Sequence, residues 1–147
     1  MSQETSEKLV ISTTTIDARG PRFAAAITVV VLSVALLTNS ILVLGFQALV
    51  FAIGALRGPQ FTPYSTIFRK VIRPRLKGEV PIEDVRPPQF AQTVGLIFTL
   101  VGIAGLVISA PIVFSIATGA ALAAAFLNAA FNYCLGCEVY LLLLRLR

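Results

Sequence analysis

The sequence predicts an all-α membrane protein with four transmembrane helices, arranged as two helical hairpins. Three observations predict this class: an apolar composition, two long blocks without charged residues, and a motif that recurs in both halves. Of the 147 residues, 56% are hydrophobic and 13% are charged, and the mean hydropathy is +0.86. This composition is typical of an integral membrane protein. A chain of this length forms one compact unit, and we expect no separate soluble domain.

The first residues, MSQETSEKLVISTTT, are polar and carry charges of both signs. They do not begin with the apolar segment of a cleavable signal peptide. We therefore expect residues 1–15 to form a flexible cytoplasmic tail and residues 16–147 to form a single four-helix membrane domain.

The first block without charged residues spans positions 23–56. It is too long for one ordinary span and a little short for two, since about 20 residues cross the hydrocarbon core. The sequence TNS at positions 38–40 is a turn signal at the midpoint of the block. Two short helices, at residues 23–37 and 41–56, are therefore predicted.

The second block spans positions 89–133. At about 1.5 Å per residue its length is roughly twice the ~30 Å thickness of a hydrocarbon core, so the chain has to fold back once. The sequence SAP at positions 109–111 fits the turn, because proline suits the first turn of a new helix. This predicts helices at residues 90–108 and 112–133.

Basic residues all fall on one side of this arrangement. Apart from Lys8 in the tail, they precede the first helix, occur in the loop at residues 57–89 and end the chain: Arg19, Arg22, Arg57, Arg69, Lys70, Arg73, Arg75, Lys77, Arg86, Arg145 and Arg147. The two turns on the opposite side carry no charge. By the positive-inside rule, we expect a multi-pass protein of the cytoplasmic membrane with both termini in the cytoplasm.

Within the basic loop, the segment IFRKVIRPRL mixes apolar residues with Arg69, Lys70, Arg73 and Arg75. We expect it to form a cytoplasmic interfacial segment whose four basic side chains bind anionic lipid headgroups. The net charge of +5 is also compatible with binding to nucleic acid. Basic residues placed between membrane segments favour topology and lipid contact instead, so we expect no nucleic acid partner.

One motif occurs twice, once before the first predicted helix and once before the third: DARGPRFA and DVRPPQFA share the pattern D-x-R-x-P-x-F-A. The two copies align Asp17, Arg19 and Pro21 with Asp84, Arg86 and Pro88. Both halves start on the same side, so the sequence predicts a parallel internal pseudo-repeat about an axis along the membrane normal. The aspartates can cap the helices that follow while the arginines anchor at phosphates. Alternatively, the charged residues pair across the axis.

The fourth predicted helix contains the small-residue segment ATGAALAAAFLNAAF, which predicts close packing against neighbouring helices. Asn128 and Asn132 are four residues apart and so share one face of that helix. Amides at this depth seek partners within the bundle, and we expect both to make interhelical polar contacts. Together with Gln47 and Gln92 they also form a candidate polar site.

The two cysteines, Cys134 and Cys137, form a CxxC at the end of the fourth predicted helix. In the cytoplasm, a permanent structural disulfide is not expected. Within a helix the two sulfurs would bond only if the backbone distorts, which Gly136 would ease. A helix C-terminus and the adjacent Glu138 disfavour the thiolate. Reactivity would improve if the chain breaks at residues 132–133 and a new helix starts at the CxxC.

Three uses of the cysteine pair stay open at this point: packing as small apolar groups, redox or persulfide chemistry, and metal binding. A tetrahedral metal site would need two subunits, since the chain contains no histidine and only two cysteines, and we expect none. The sequence contains no glycine-rich phosphate loop and no paired carboxylates within the membrane segments. We therefore expect no cofactor.

Three segments carry a family resemblance: DARGPRFAAAIT, RPPQFAQTVGL and FLNAAFNYCLGCEVYLLLL. From about residue 16 to its end, the chain resembles the DUF4395 family, uncharacterised actinobacterial integral membrane proteins with a C-terminal CLGC. Members are often encoded near thioredoxin-like or rhodanese-like proteins, and the resemblance therefore implies that Cys134 and Cys137 handle thiols or sulfane sulfur.

These observations lead to one predicted function and two alternatives. We predict a cytoplasm-facing membrane dithiol that exchanges thiol/disulfide or persulfide sulfur with a soluble thioredoxin-like or rhodanese-like partner. The chain could instead be a non-catalytic scaffold or accessory subunit of a larger complex, or a small transporter acting as a homo-oligomer.

Overall fold

The computed structural model describes residues 15–76 and 82–146. Its six α-helices are α1 (Arg19–Thr38), α2 (Ile41–Leu56), α3 (Pro63–Ile67), α4 (Arg86–Val107), α5 (Pro111–Phe131) and α6 (Leu135–Leu146). Two short strands, β1 (Thr15–Asp17) and β2 (Ile82–Asp84), form an antiparallel pair. Shorter helical turns, Pro59–Phe61, Phe68–Ile72 and Arg73–Arg75, flank and extend α3. Except for Thr15, the predicted tail lies outside the described residues.

Helices α1, α2, α4 and α5 form a four-helix bundle. Each helix packs against two neighbours, in the cyclic order α1, α2, α4, α5. Within the described residues, α1, α4 and α5 are long and apolar enough to cross a membrane, and α2 is a shorter apolar helix of 16 residues. The core of the bundle contains a buried cluster of Leu32, Ala35, Leu44, Phe114 and Ala121.

The first and third bundle helices begin earlier than predicted. Helix α1 starts at Arg19 and not at residue 23, and α4 starts at Arg86 and not at residue 90. The physical reason is that proline is tolerated in the first turn, where its missing N–H would have no partner within the helix. The second helix has the predicted bounds, Ile41–Leu56.

Two tight turns join the bundle helices at the end without charged residues. Asn39 and Ser109 have left-handed backbones, with φ of 51° and 60°. Ser40 then caps α2, because its hydroxyl accepts a hydrogen bond from the N–H of Val43 at 3.3 Å. At the second turn, a Cβ on Gly105 would lie 2.6 Å from the backbone nitrogen of Phe114. The glycine therefore allows α4 and α5 to meet closely, as the sequence predicts for small residues.

At the opposite end, the two copies of the repeated motif are joined by β1 and β2. The backbone pairs are Thr15 with Asp84, Ile16 with Glu83, and Asp17 with Ile82. Asp17 is equivalent to Asp84 in the repeat. If each strand residue is replaced by its equivalent in the other copy, the same three backbone pairs result, and Ile16–Glu83 is the central pair. The two strands are thus related by a local two-fold axis. The domain was predicted to be wholly helical, and this short strand pair is an addition to that prediction.

The segments that follow the two helical hairpins pack in a similar way. The ring of Phe68 lies 5.7 Å from that of Phe23, and the ring of Tyr140 lies 5.6 Å from that of Phe90. Phe23 and Phe90 are the equivalent phenylalanines of the repeated motif. Helix α6 therefore rests on α4 much as the segment after α3 rests on α1.

Candidate functional site

The cysteine pair lies at the start of a helix, which is the alternative that the sequence offered to a position at the end of the fourth predicted helix. Helix α5 ends at Phe131, where Asn132 adopts a left-handed conformation with φ of 54°. Asparagine tolerates this conformation better than most residues, because its short polar side chain bonds locally. The chain then turns through Tyr133 and Cys134, and α6 begins at Leu135.

Cys134 occupies the capping position of α6. Its Sγ accepts a hydrogen bond from the backbone N–H of Cys137 at 3.1 Å, and its carbonyl accepts one from the N–H of Glu138 at 3.0 Å. The two cysteines form a disulfide, with their Cα atoms 5.1 Å apart. Both residues are half-buried. The expected helix-end penalty on the thiolate is therefore wrong, because the dipole of α6 places its positive end at Cys134. Glu138, in the first turn of α6, opposes this effect.

A glycine holds the cysteine pair against α4. A Cβ on Gly136 would lie 2.6 Å from both the Cα and the Cβ of Ala91, a separation at which carbon atoms overlap. The residue between the cysteines therefore has to lack a side chain for α6 to approach α4 this closely. Tyr140, one turn further along α6, completes the contact on Phe90.

The pair lies at the same end of the bundle as the basic residues. The Nε of Arg22, in the first turn of α1, donates a hydrogen bond to the carbonyl of Ala129 at 3.0 Å. This bond also satisfies a backbone carbonyl at the C-terminus of α5, where a positive charge is favourable. Gln89 similarly donates to the carbonyl of Ala55 at 2.9 Å, which joins the start of α4 to the end of α2.

A cavity of about 650 Å³ opens beside the cysteines. It extends between α1, α4, α5 and α6, and its walls are formed mainly by small and apolar residues. Ala121, Ala124 and Ala125 line it from α5, and Gly95 and Phe98 line it from α4. The small-residue segment of α5 thus serves two purposes: it packs against other helices and it leaves this space open.

Three of the predicted polar residues reach this cavity. Asn128, Asn132 and Gln92 line it, whereas Gln47 does not. Within the described part of the chain, no hydrogen bond joins either asparagine side chain to another helix, and the predicted interhelical contacts stay a prediction. Gln47 is fully buried elsewhere, where it accepts a hydrogen bond from the Tyr64 hydroxyl at 2.7 Å and donates to Thr28 at 3.4 Å.

The charged residues of the repeated motif pair within each copy. The guanidinium of Arg19 bonds the carboxylate of Asp17 at 2.9 Å, and that of Arg86 bonds Asp84 at 2.6 Å. In both copies the aspartate also accepts the backbone N–H of the arginine, the first residue of the helix. The aspartates thus each bond one free helical N–H, although they precede the N-cap residues Ala18 and Val85 and are not themselves the caps. The two copies are joined by the backbone pairs of β1 and β2.

These ion pairs shift the acidity of the aspartates. Burial alone would raise the pKa of Asp17, but the hydrogen bonds from Arg19 and the positive charges of Arg19 and Arg73 outweigh it and hold the pKa below its ordinary value. The pKa of Asp84 is lowered chiefly by the hydrogen bond from the Arg86 side chain. Both carboxylates are therefore stabilised in their ionised form.

The prolines of the motif lie beside the site. Pro21 and Pro88 both line the cavity wall, and Pro88 is buried. They belong to the first turns of α1 and α4, two of the helices that line the cavity. The motif thus shapes the site as well as starting the helices.

The predicted lipid-binding residues lie on the turns after α3. Arg69, Lys70 and Arg75 are exposed, while Phe68 in the same segment is buried. Arg73 is also exposed, but its Nε lies 3.7 Å from the carboxylate of Asp17 and so forms an ion pair within the protein. Lys77 and Arg147 lie outside the described residues.

The sequence left the start of α6 open, as one of two alternatives, and gave no indication of the cavity. The signal for the first was present: Asn132 is a residue suited to a left-handed helix end, and it comes just before the CxxC. The cavity carried no local signal, because an alanine-rich helix face packs tightly in one arrangement of helices and lines a space in another. Among the described residues, no three histidine, cysteine or acidic side chains are grouped as metal ligands.

Fold and site together define a class: a helical membrane protein whose four-helix bundle carries a cysteine pair at the start of an additional helix. The family described as Domain of unknown function (DUF4395) matches residues 16–145. The chain belongs to this family, as its motifs indicate. No curated protein and no solved structure matches the chain.

Proposed function

We propose that the protein is a membrane dithiol oxidoreductase whose Cys134–Cys137 pair exchanges electrons with a soluble thiol or persulfide protein in the cytoplasm. The observation that carries this proposal is the position of the CxxC at the N-terminus of α6, where Cys134 caps the helix. The positive end of the helix dipole and the N–H of Cys137 both favour a thiolate on Cys134. Packing alone would not require a cysteine at the helix N-terminus with a backbone N–H bonded to its sulfur.

The geometry gives the two cysteines different roles. Cys134 is the attacking group, because its sulfur receives the N–H and lies at the helix terminus. Cys137 lies three residues later and resolves the mixed disulfide by attacking Cys134. The reaction conserves electrons: the partner dithiol becomes a disulfide as the Cys134–Cys137 disulfide becomes a dithiol, or the reverse.

Trapping of the partner tests this assignment. In membranes that contain Cys137→Ser, Cys134 should remain joined to the partner as a stable mixed disulfide, which non-reducing electrophoresis and mass spectrometry identify. Cys134→Ser is the matched control and should trap far less. Equal trapping by the two variants, or none by either, would contradict the assignment of Cys134 as the attacking and Cys137 as the resolving cysteine.

The orientation is part of the proposal: four membrane crossings, with the cysteine pair, both termini and the basic segment on the cytoplasmic side. It is supported by the ends of the bundle, one of which holds the basic residues while the turns at Asn39 and Ser109 hold none. The positive-inside rule then places the basic end in the cytoplasm.

Single cysteines test the orientation in a Cys134→Ser/Cys137→Ser background. Asn39→Cys should react with an impermeant maleimide added to intact cells, and Lys70→Cys should react only after permeabilisation. Both residues are exposed, so a failure to react is not a matter of burial. The reversed labelling pattern would show that the orientation is wrong.

The exposed part of the basic segment is proposed to bind anionic lipid headgroups. Each of Arg69, Lys70 and Arg75 should contribute about 1 kcal/mol before screening, and Arg73 less, since Asp17 already neutralises part of its charge. Replacing the first three by glutamine should reduce co-purified anionic lipid, measured by mass spectrometry, more than Arg73→Gln does. Unchanged lipid in the triple variant would remove this role.

A further inference from the structure

The cavity beside the cysteine pair has the size and position of a ligand site. Its volume of about 650 Å³ falls within the roughly 300–1,000 Å³ of small-molecule pockets. It is long as well as large: its lining follows α5 from Asn132 to Ala120. At about 1.5 Å per residue this stretch of helix measures roughly 18 Å. The cavity therefore reaches from the cysteines to about the middle of the bundle.

The two ends of the cavity differ in chemistry. The deep end is apolar and is walled by Ala121, Phe51 and Phe98. The end near the cysteines contains the carboxamides of Asn128 and Asn132, together with the carboxylates of Asp84 and Glu138. A ligand that fits both ends has a polar head beside the sulfurs and an apolar tail that lies along the alanines.

The carboxamides at the polar end suit one kind of ligand head. Asn128 and Asn132 line the cavity, and within the described residues neither side chain is hydrogen-bonded to another helix. The Oε1 of Gln92 is shielded from the cavity, because it lies against Gly54 on α2. A carboxamide can donate to a carbonyl oxygen or accept from a hydroxyl, and so suits a ligand that alternates between the two.

The apolar wall is also accessible from outside the protein. Phe98, Val139 and Leu141 line the cavity and are 37%, 45% and 42% exposed. Phe98 lies on α4, a helix long and apolar enough to cross a membrane, where an exposed side chain meets hydrocarbon from which an apolar ligand can enter. A water-soluble substrate would not favour this route.

From these observations we infer that the cavity binds a membrane-soluble quinone, which takes up the electrons of the Cys134–Cys137 dithiol. A quinone has a planar head with two carbonyl oxygens, an apolar tail, and the capacity for two electrons. The two thiols lose two electrons and two protons as the S–S bond forms, and the two quinone carbonyls gain them and become the hydroxyls of the quinol. The source of the electrons rests on the proposed function; the binding of the quinone does not.

The reaction can be tested with the whole protein in lipid nanodiscs, reduced and freed of reductant. Addition of a decyl benzoquinone should produce one quinol per protein molecule, followed by absorbance, with loss of both maleimide-reactive thiols. Ala124→Leu, which fills the cavity, should slow the reaction at least tenfold. Ala123→Leu is the matched control, because Ala123 is the exposed neighbour on the same helix and does not line the cavity; it should stay within twofold of wild type.

Two further measurements keep the outcomes distinct. The reduced pair in Ala124→Leu should react with maleimide at the wild-type rate, which shows that the fold and the thiols are intact. The Cys134→Ser/Cys137→Ser variant should still bind the quinone, measured as a rise in its thermal unfolding midpoint. Equal quinone rates for the two leucine variants, or no binding by the double serine variant, would overturn the quinone site. Binding without quinol formation would instead overturn the redox role of the pair.

Discussion

The close contact between Gly136 and Ala91 requires a residue without a side chain at position 136. The substitution Gly136→Ala tests this requirement. The added Cβ would lie 2.6 Å from two carbon atoms of Ala91, whereas ordinary contacts of this kind lie at 3.4–4 Å. Because protein interiors are closely packed, α6 would have to move away from α4 by about 1 Å to relieve the overlap. Overpacking of this kind typically costs about 1–3 kcal/mol, against a gain of up to about 1 kcal/mol from the better helix propensity of alanine.

The expected result is a lower thermal unfolding midpoint in detergent, since each kcal/mol corresponds to about 2–4 °C for chains of roughly this size. The reduced cysteines should also react faster with maleimide, because displacement of α6 exposes sulfurs that are half-buried. Gly119→Ala is the control: a Cβ on Gly119 meets no atom within 4 Å, so this variant should be neutral or slightly more stable. The same midpoint and the same alkylation rate in the two alanine variants would contradict the close packing of α6 on α4 at Gly136.

Two other predictions concern the supporting structure. Tyr64→Phe should destabilise the protein by about 1–3 kcal/mol, because it leaves the buried acceptor of Gln47 unpaired; in the same denaturation experiment the exposed Tyr133, changed to phenylalanine, should have no effect. Asp17→Asn should lower stability at neutral pH by about 1 kcal/mol. Asp84→Asn should lower it by less, since the Asp17 side chain is 8% exposed and the Asp84 side chain 39%. Both pKa values are lowered in the folded protein from the ordinary 3.8. Their stabilisation is therefore complete above that pH and is lost as the pH falls through the lowered values, so wild type and Asp17→Asn should converge in acid; a constant difference down to pH 2 would contradict this.

The sequence by itself determined the class of protein and the ends of the bundle. Apolar blocks and the placement of arginines are local properties that act directly on the bilayer, so they can be recognised without knowledge of any contact. The recurrence of Asp17 and Arg19 as Asp84 and Arg86 likewise indicated a duplicated structure. Within each copy the pairing is local, since the aspartate and the arginine are two residues apart.

Only the tertiary structure decided the chemistry available to the cysteines. Asn132 permits a left-handed helix end but does not require one, so the sequence left open whether α5 continues through the CxxC. What favours the break is the fit of Gly136 on Ala91, which lies on a different helix far earlier in the chain, together with Tyr140 on Phe90. Such contacts depend on how whole helices meet, and no local pattern encodes them. The same packing places Cys134 at a positive helix terminus and opens the cavity beside it, because the spaces between helices are set by their relative positions and not by the residues of any one helix.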